Sequence, residues 1–195
     1  PEFVKETTHD LPSTEIDTSI QSVEFTPDVV FMYYGKSSGK PFPGKGSGEK
    51  IPQNRRDAFK KLAAIKDWRR KLSNQWIAPI DIDGHQWNSV EHYFQASKYA
   101  KGHPEIYYQF TLDSRSELGK SSELAKNFND FQEDMEFVGK YGKEVLARGV
   151  EAKFTQHPEL RELLKETHDA TLTEYVPRFP ARMSTELMTL RKNIM

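Results

Sequence analysis

Apolar residues along this chain fall in short runs and at three-to-four spacing, and no single long block dominates. The run VVFMYY from Val29 to Tyr34 is β-branched and aromatic, which predicts a short buried strand. Phe59, Leu62, Ile65, Trp68 and Leu72 share one face of a helix predicted between Gln53 and Leu72. Ile80 and Ile82 alternate ahead of Asp83-Gly84, and His85-Gln86-Trp87 follows, the pattern of a hairpin whose turn needs positive φ at Gly84. A helix is expected from about Asn88, with Asn88 and Glu91 spaced as a capping box. His103-Pro104 predicts a helix restart, and Asp113, Ser114 and Ser116 supply cap candidates for a helix reaching toward Phe128.

One long helix is expected from Asp130 to Phe154, with Phe131, Met135, Tyr141, Val145, Val150 and Phe154 near one another on its surface. Gly139, Gly142 and Gly149 weaken it and mark either close packing or a break. Pro158 fits the first position of a helix carrying Leu160, Leu163 and Leu164. Thr171 to Pro180 reads as irregular, and a last helix near Ser184 to Asn193 buries Leu187 and Leu190. The expected fold is a single domain, mainly α with a small β element.

Composition adds a few limits. A chain of 195 residues and 22.6 kDa is long enough for one domain with a real core. Residues 25–195 are expected to form it, behind a mobile arm over residues 1–24 that is rich in Thr, Ser, Asp and Glu. Pro1-Glu2-Phe3 reads as a cloning remnant. A net charge of −1 gives no global pull toward nucleic acid or membrane, so any such contact must be a local patch. With no cysteine there is no disulfide or thiolate metal site, and no apolar segment is long enough to span a membrane. An intracellular protein, cytoplasmic or nuclear, is expected.

Candidate chemistry starts with the loop Gly35 to Lys50, which holds five glycines, two prolines and four lysines and is expected to be flexible. Gly39 to Lys45 has Walker spacing, but Gly46 stands where a metal-binding hydroxyl is required, and Pro41 and Pro43 remove backbone donors. A nucleoside-triphosphatase is therefore rejected, leaving two readings: a solvated linker, or Lys45 or Lys50 beside a pyrophosphate. Arg55, Arg56, Lys60, Lys61, Lys66, Arg69, Arg70 and Lys71 lie off the apolar face of the predicted helix. They form either a solvated surface or a nucleic-acid contact. His85 and His92 lack a metal-ligand spacing, and no nucleophile elbow surrounds Ser89. What remains is acid/base chemistry by Glu91, with Asp83 or Glu174, beside the aromatic rings of Trp76, Trp87, Tyr93 and Phe94. Residue types alone stop at a pocket for an aromatic, nucleotide-like molecule.

An ordered set of motifs goes further. Leu72-Ser73-Asn74 is followed by Asp83-Gly84, Trp87, Ser89 and the run Glu91-His92-Tyr93-Phe94-Gln95-Ala96 with Lys98. Then come Ala152-Lys153-Phe154 with Gln156, Pro158 with Leu160, Leu163-Leu164, Thr167, Leu172 with Glu174, and Leu187-Met188 with Leu190-Arg191. From about Val29 to the C-terminus this order resembles the NADAR family, and Pro43-Gly44-Lys45-Gly46 with Gly48-Glu49 is similar to a loop of its eukaryotic and viral members. The resemblance implies a mainly helical fold and cleavage of the N-glycosidic bond of ribosylated compounds. The activity it most favours is removal of ADP-ribose from modified guanine in nucleic acid. The alternatives are hydrolysis of phosphoribosylamino-pyrimidine intermediates of riboflavin synthesis, or non-catalytic binding of ADP-ribose or a nucleotide.

The resemblance makes Glu91 the essential acid. Asn74, Trp87, Tyr93, Lys45, Gly46 and Glu174 are candidate substrate contacts, and the general preference of arginine for phosphate adds Arg178 and Arg182 as candidate phosphate contacts. No cofactor or metal enters this chemistry. Two departures motivate the binding-module alternative. The tryptophan that bacterial members carry upstream of Ala152-Lys153-Phe154 is missing near Phe137 or Val138, and Tyr175 to Met183 lacks their glycine-rich segment.

Overall fold

The computed structural model describes residues 26–195, so the expected N-terminal arm lies outside the described residues. Strand β1 (Thr26–Tyr33) buries Val29, Phe31 and Tyr33, every second side chain, as a strand against a core must. The predicted helix of residues 53–72 is broken into a 3-10 turn (Gln53–Phe59), α1 (Lys60–Ala64) and α2 (Trp68–Leu72). The break falls at Asp67, whose φ of 56° cannot continue a right-handed helix. The apolar face survives it, since Phe59, Leu62, Trp68 and Leu72 are all buried.

Strands β2 (Ile80–Ile82) and β3 (His85–Trp87) form the expected hairpin, with positive φ at both Asp83 and Gly84, as a type I′ turn requires. Helix α3 (Val90–Ser97) starts one residue later than the capping-box reading had it. Ser89 is the N-cap and accepts from the His92 N–H. The Asn88 side chain instead donates to the Lys120 carbonyl, so Asn88 and Glu91 do not form a capping box. Glu91 stands at the second position of the helix, freed from a capping role.

Helix α4 (Pro104–Gln109) follows His103 as expected, and the helix toward Phe128 is divided into α5 (Glu117–Lys120) and α6 (Ser122–Asn127). Ser116 and Ser121 cap these two. The expected helix from Asp130 begins only with a π-helical segment around Phe137–Tyr141, then runs as α7 (Gly142–Gln156). At Gly149 α7 packs closely on α3: a Cβ there would lie 3.0 Å from Val90 Cγ1 and 3.1 Å from Tyr93 Cδ1. Helix α8 (Pro158–Lys165) buries Leu160, Leu163 and Leu164 as predicted.

The segment read as irregular from Thr171 contains strand β4 (Ala170–Glu174), followed by β5 (Arg182–Met183) and helix α9 (Thr185–Ile194). Parallel pairing of β4 with β1 stabilises that short run, with Tyr33 opposite Glu174. The small sheet has the order β1-β4-β5. Its parallel strands end at Tyr33 and Glu174, and α2 and α3 bring Asn74 and Glu91 to that end, the edge where ligands lie in sheets with parallel strands.

Candidate active site

Glu91 lines a cleft of about 330 Å³ together with Asn74, Phe94, Lys126, Glu174 and Tyr175. Its residue is only 9% exposed. Gln95, one turn further along α3, donates Nε2 to Glu91 Oε1 at 2.8 Å, leaving the other carboxyl oxygen to the cleft. Burial pushes the Glu91 carboxyl above the ordinary carboxylate range; Glu174 adds to the rise, while Gln95, Lys126 and Lys98 oppose it. The backbone of Glu91 is fixed separately, since its N–H donates to the Asn74 carbonyl at 2.9 Å.

The turn that carries Asn74 is held from beneath. Lys153 is 1% exposed and donates Nζ to the carbonyls of Lys71 at 2.6 Å and Ser73 at 2.8 Å. Without a counter-anion in these contacts, its burial pushes its pKa down to about 7. The Ala152-Lys153-Phe154 motif thus acts on the site through the Ser73-Asn74 backbone.

Across the cleft, Glu174 accepts from Arg182 Nε at 3.1 Å and Nη2 at 2.8 Å, and Arg182 also reaches Glu186. Two carboxyl groups therefore face one space in different surroundings: Glu174 against a guanidinium, Glu91 against an amide and a buried wall. Such unequal environments separate proton-donating from anionic roles. Tyr34 and Tyr175 pack edge to face with centroids 5.4 Å apart at the cleft mouth, and Tyr175 is 46% exposed.

The residues named from sequence divide between this cleft and other places. Glu91, Asn74, Glu174 and Phe94 line it together. Trp87 is fully buried and donates Nε1 to the Ile82 carbonyl, closing the hairpin into the core. Tyr93 is buried on the far face of α3, packed edge to face on Trp87 and lining a separate hollow with Asp83. Asp83 is held by Arg148 at 2.6 and 2.9 Å. His92 is buried with Ser89 Oγ 2.8 Å from Nδ1, and burial pushes its pKa down to about 4, so its ring is neutral at physiological pH. Arg178 is exposed beside the cleft in the segment before β5, and Arg182 is engaged by carboxylates.

Lys45 is exposed, and Gly46 lines an adjoining hollow with Tyr34, Tyr175 and Glu49. The loop that carries them is pinned where a flexible one was expected. The N–H groups of Gly44 and Gly46 donate to Glu49 Oε2 at 3.1 and 3.0 Å. Arg69 Nε and Nη2 each meet the same carboxylate at 2.6 Å. The donors that a phosphate cradle would use are occupied by a side chain of the loop itself. Arg69, read as part of a basic surface, is 3% exposed.

Sequence reasoning missed Tyr34, Tyr175 and Lys126 as parts of the cleft, and Gln95 as the partner of Glu91. Gln95 had a visible signal, the i, i+4 spacing from Glu91 on one helix face. The others come from separate elements and had none. Among the described residues no cluster of metal-binding side chains is found, and no helix is long and apolar enough to cross a membrane.

The NADAR domain model matches residues 53–178. N-glycosidase YbiA of Shigella flexneri serotype 5b is 31% identical over 131 residues, which cover 65% of this chain and 76% of that protein. N-glycosidase YbiA of Escherichia coli K12 matches with the same identity and the same coverage. The NMR structure of E. coli YbiA superposes with a TM-score of 0.49 at 21% identity, over 89% of this chain and 87% of the other.

Proposed function

Because the chain belongs to the NADAR domain family, we propose that it is an N-glycosidase cleaving a ribosyl-base bond, with ADP-ribosylated guanine in nucleic acid as its substrate. The observation that carries the reading is Glu91: a buried carboxyl with a raised proton affinity, opening on a cleft that also holds Glu174 and two tyrosine rings.

Departure of a base from ribose builds positive charge at the anomeric carbon and negative charge on the leaving nitrogen. Glu91, protonated more readily than an exposed glutamate, is suited to hydrogen-bond that nitrogen and give it the proton as the bond breaks. Glu174, held by Arg182 on the same cleft, offers fixed negative charge to the sugar cation and a carboxylate to take the proton of the water that attacks it. The aromatic mouth, Tyr34 and Tyr175, suits a planar heterocycle.

The substrate is tested by offering the protein guanine-ADP-ribosylated oligonucleotide and, separately, a phosphoribosylamino-pyrimidine. Release of free ADP-ribose from the first, faster than release of base from the second, is the expected outcome. The reverse preference would move the reading to riboflavin intermediates. Binding of ADP-ribose without turnover of either compound would make the protein a binding module.

A further inference from the structure

The cleft at Glu91 continues sideways. A second hollow of about 460 Å³ shares Tyr34, Gln75 and Lys126 with it and extends past Trp76 to Lys36 and Arg70. Two of its three lining cations, Arg70 and Lys126, lie against aromatic faces, and Lys71 stands near the Trp76 ring outside the lining. The Arg70 guanidinium carbon is 6.0 Å from the Trp76 ring centroid and Lys71 Nζ is 5.8 Å from it, while Lys126 Nζ is 6.0 Å from that of Tyr34. Arg70 Nε also donates to the Gly35 carbonyl at 3.3 Å, tying α2 to the chain just after β1.

Two carboxylates temper the charge, Glu123 at 3.8 Å from Lys36 and Asp67 at 3.8 Å from Arg70. The three lining cations, Lys36, Arg70 and Lys126, against these two carboxylates leave the flank positive on a molecule whose net charge is −1. Of the basic series between Arg55 and Lys71, only its C-terminal end takes part. Lys60 pairs with Asp57, Lys61 with Glu166, and Arg55 with Asp169, all away from the cleft.

Cations interleaved with ring faces fit one class of ligand better than a small diphosphate. In a single-stranded nucleic acid, phosphates recur along the chain and each base offers a face for stacking. A groove of this kind also has to run into the site that handles the base, and the shared Tyr34, Gln75 and Lys126 satisfy that. We propose that the flank formed by Lys36, Arg70, Trp76 and Lys126 is the groove for the single strand that carries the base cleaved at Glu91. The assignment of the strand rests on the N-glycosidase reading for its link to turnover, and on the flank alone for its binding.

Two measurements test it. In the first, wild-type protein is titrated into a fluorescein-labelled, unmodified single-stranded oligonucleotide at rising salt. With three phosphates neutralised, log affinity should fall against log salt with a slope of about −2. The double substitution Lys36→Ala and Arg70→Ala should lower that slope by about 1.4, at about 0.7 for each cation removed. Absence of binding, or a response flat in salt, overturns the proposal.

In the second measurement, kcat/KM is compared for ADP-ribosylated guanine in an oligonucleotide and for the same modification on free guanosine. The double variant should lower the ratio of oligonucleotide to nucleoside about tenfold. An equal loss on both substrates overturns the proposal and gives these cations to the diphosphate of ADP-ribose. Lys36→Ala alone, at a side chain 71% exposed, repeats the comparison where folding is not at risk. If wild type turns over neither substrate, the N-glycosidase reading fails, and the salt titration still decides the groove.

Discussion

Glu49 and Glu91 both have side chains withdrawn from solvent, and their oxygens meet very different company. Glu49 accepts from the N–H groups of Met32, Gly44 and Gly46 and from two nitrogens of Arg69. Glu91 accepts from Gln95 and faces a cleft. The first is a carboxylate whose hydrogen-bonding capacity is filled, the second a carboxyl with one partner and a place on the cleft wall. A buried charge that is fully paired organises the fold, and one that is not is an expense justified by chemistry.

The contrast predicts that the two sites fail in opposite ways. Glu49→Gln leaves Arg69 buried without its anion, and unfolding in urea should show a loss of about 3–5 kcal/mol. A stability close to wild type would mean that the loop from Pro41 to Glu49 is not held by this pair. Gly149→Ala comes next. Its added methyl meets Val90 and Tyr93 on α3, so a destabilisation of about 1–3 kcal/mol is expected, with slowed turnover because α3 carries Glu91. Turnover unchanged in the face of that loss would show that the placement of α3 is not critical to the site.

The smallest effect is the most telling about Glu91. Its carboxyl takes up protons more readily folded than unfolded, so in the window from the unfolded value near 4.5 to the raised folded value, the native state binds more protons. Stability from this group is full at low pH and is lost as pH rises through the folded value. Glu91→Gln removes that loss and keeps an oxygen for Gln95. The variant should melt above wild type at pH 7.5, with the difference shrinking toward pH 4. A lower melting temperature for the variant at pH 7.5 would mean that Glu91, like Glu49, serves the fold.

Much of the scaffold was legible because its signals are local. Asp83-Gly84 between alternating residues specifies a hairpin, and Pro158 ahead of three leucines specifies a helix and its buried face. The string around Glu91 singled it out, and Glu91 lines the cleft. The capping register slipped by one residue because Asn88 and Ser89 are both good caps, and only the Lys120 carbonyl, distant in sequence, decides which side chain turns in. Strand β4 was invisible because its five residues gain their order from β1. The Glu49–Arg69 pair left no periodic trace, since Arg69 sits among seven other basic residues between Arg55 and Lys71 and differs from them only in burial. The cleft itself draws on α3, α6, α7, β4, β5 and the residues just after β1 and α2, and no spacing along the chain encodes such a meeting.

The central claim is that Glu91 is kept poorly paired because it acts on a ribosyl-base bond. The most direct test is single-turnover release of ADP-ribose from a guanine-ADP-ribosylated oligonucleotide by wild type and by Glu91→Gln, with the folded fraction of each measured in the same samples. The account predicts a rate lower by about 10²–10⁴ in a variant that is as folded as wild type. Equal rates from equally folded proteins would contradict it.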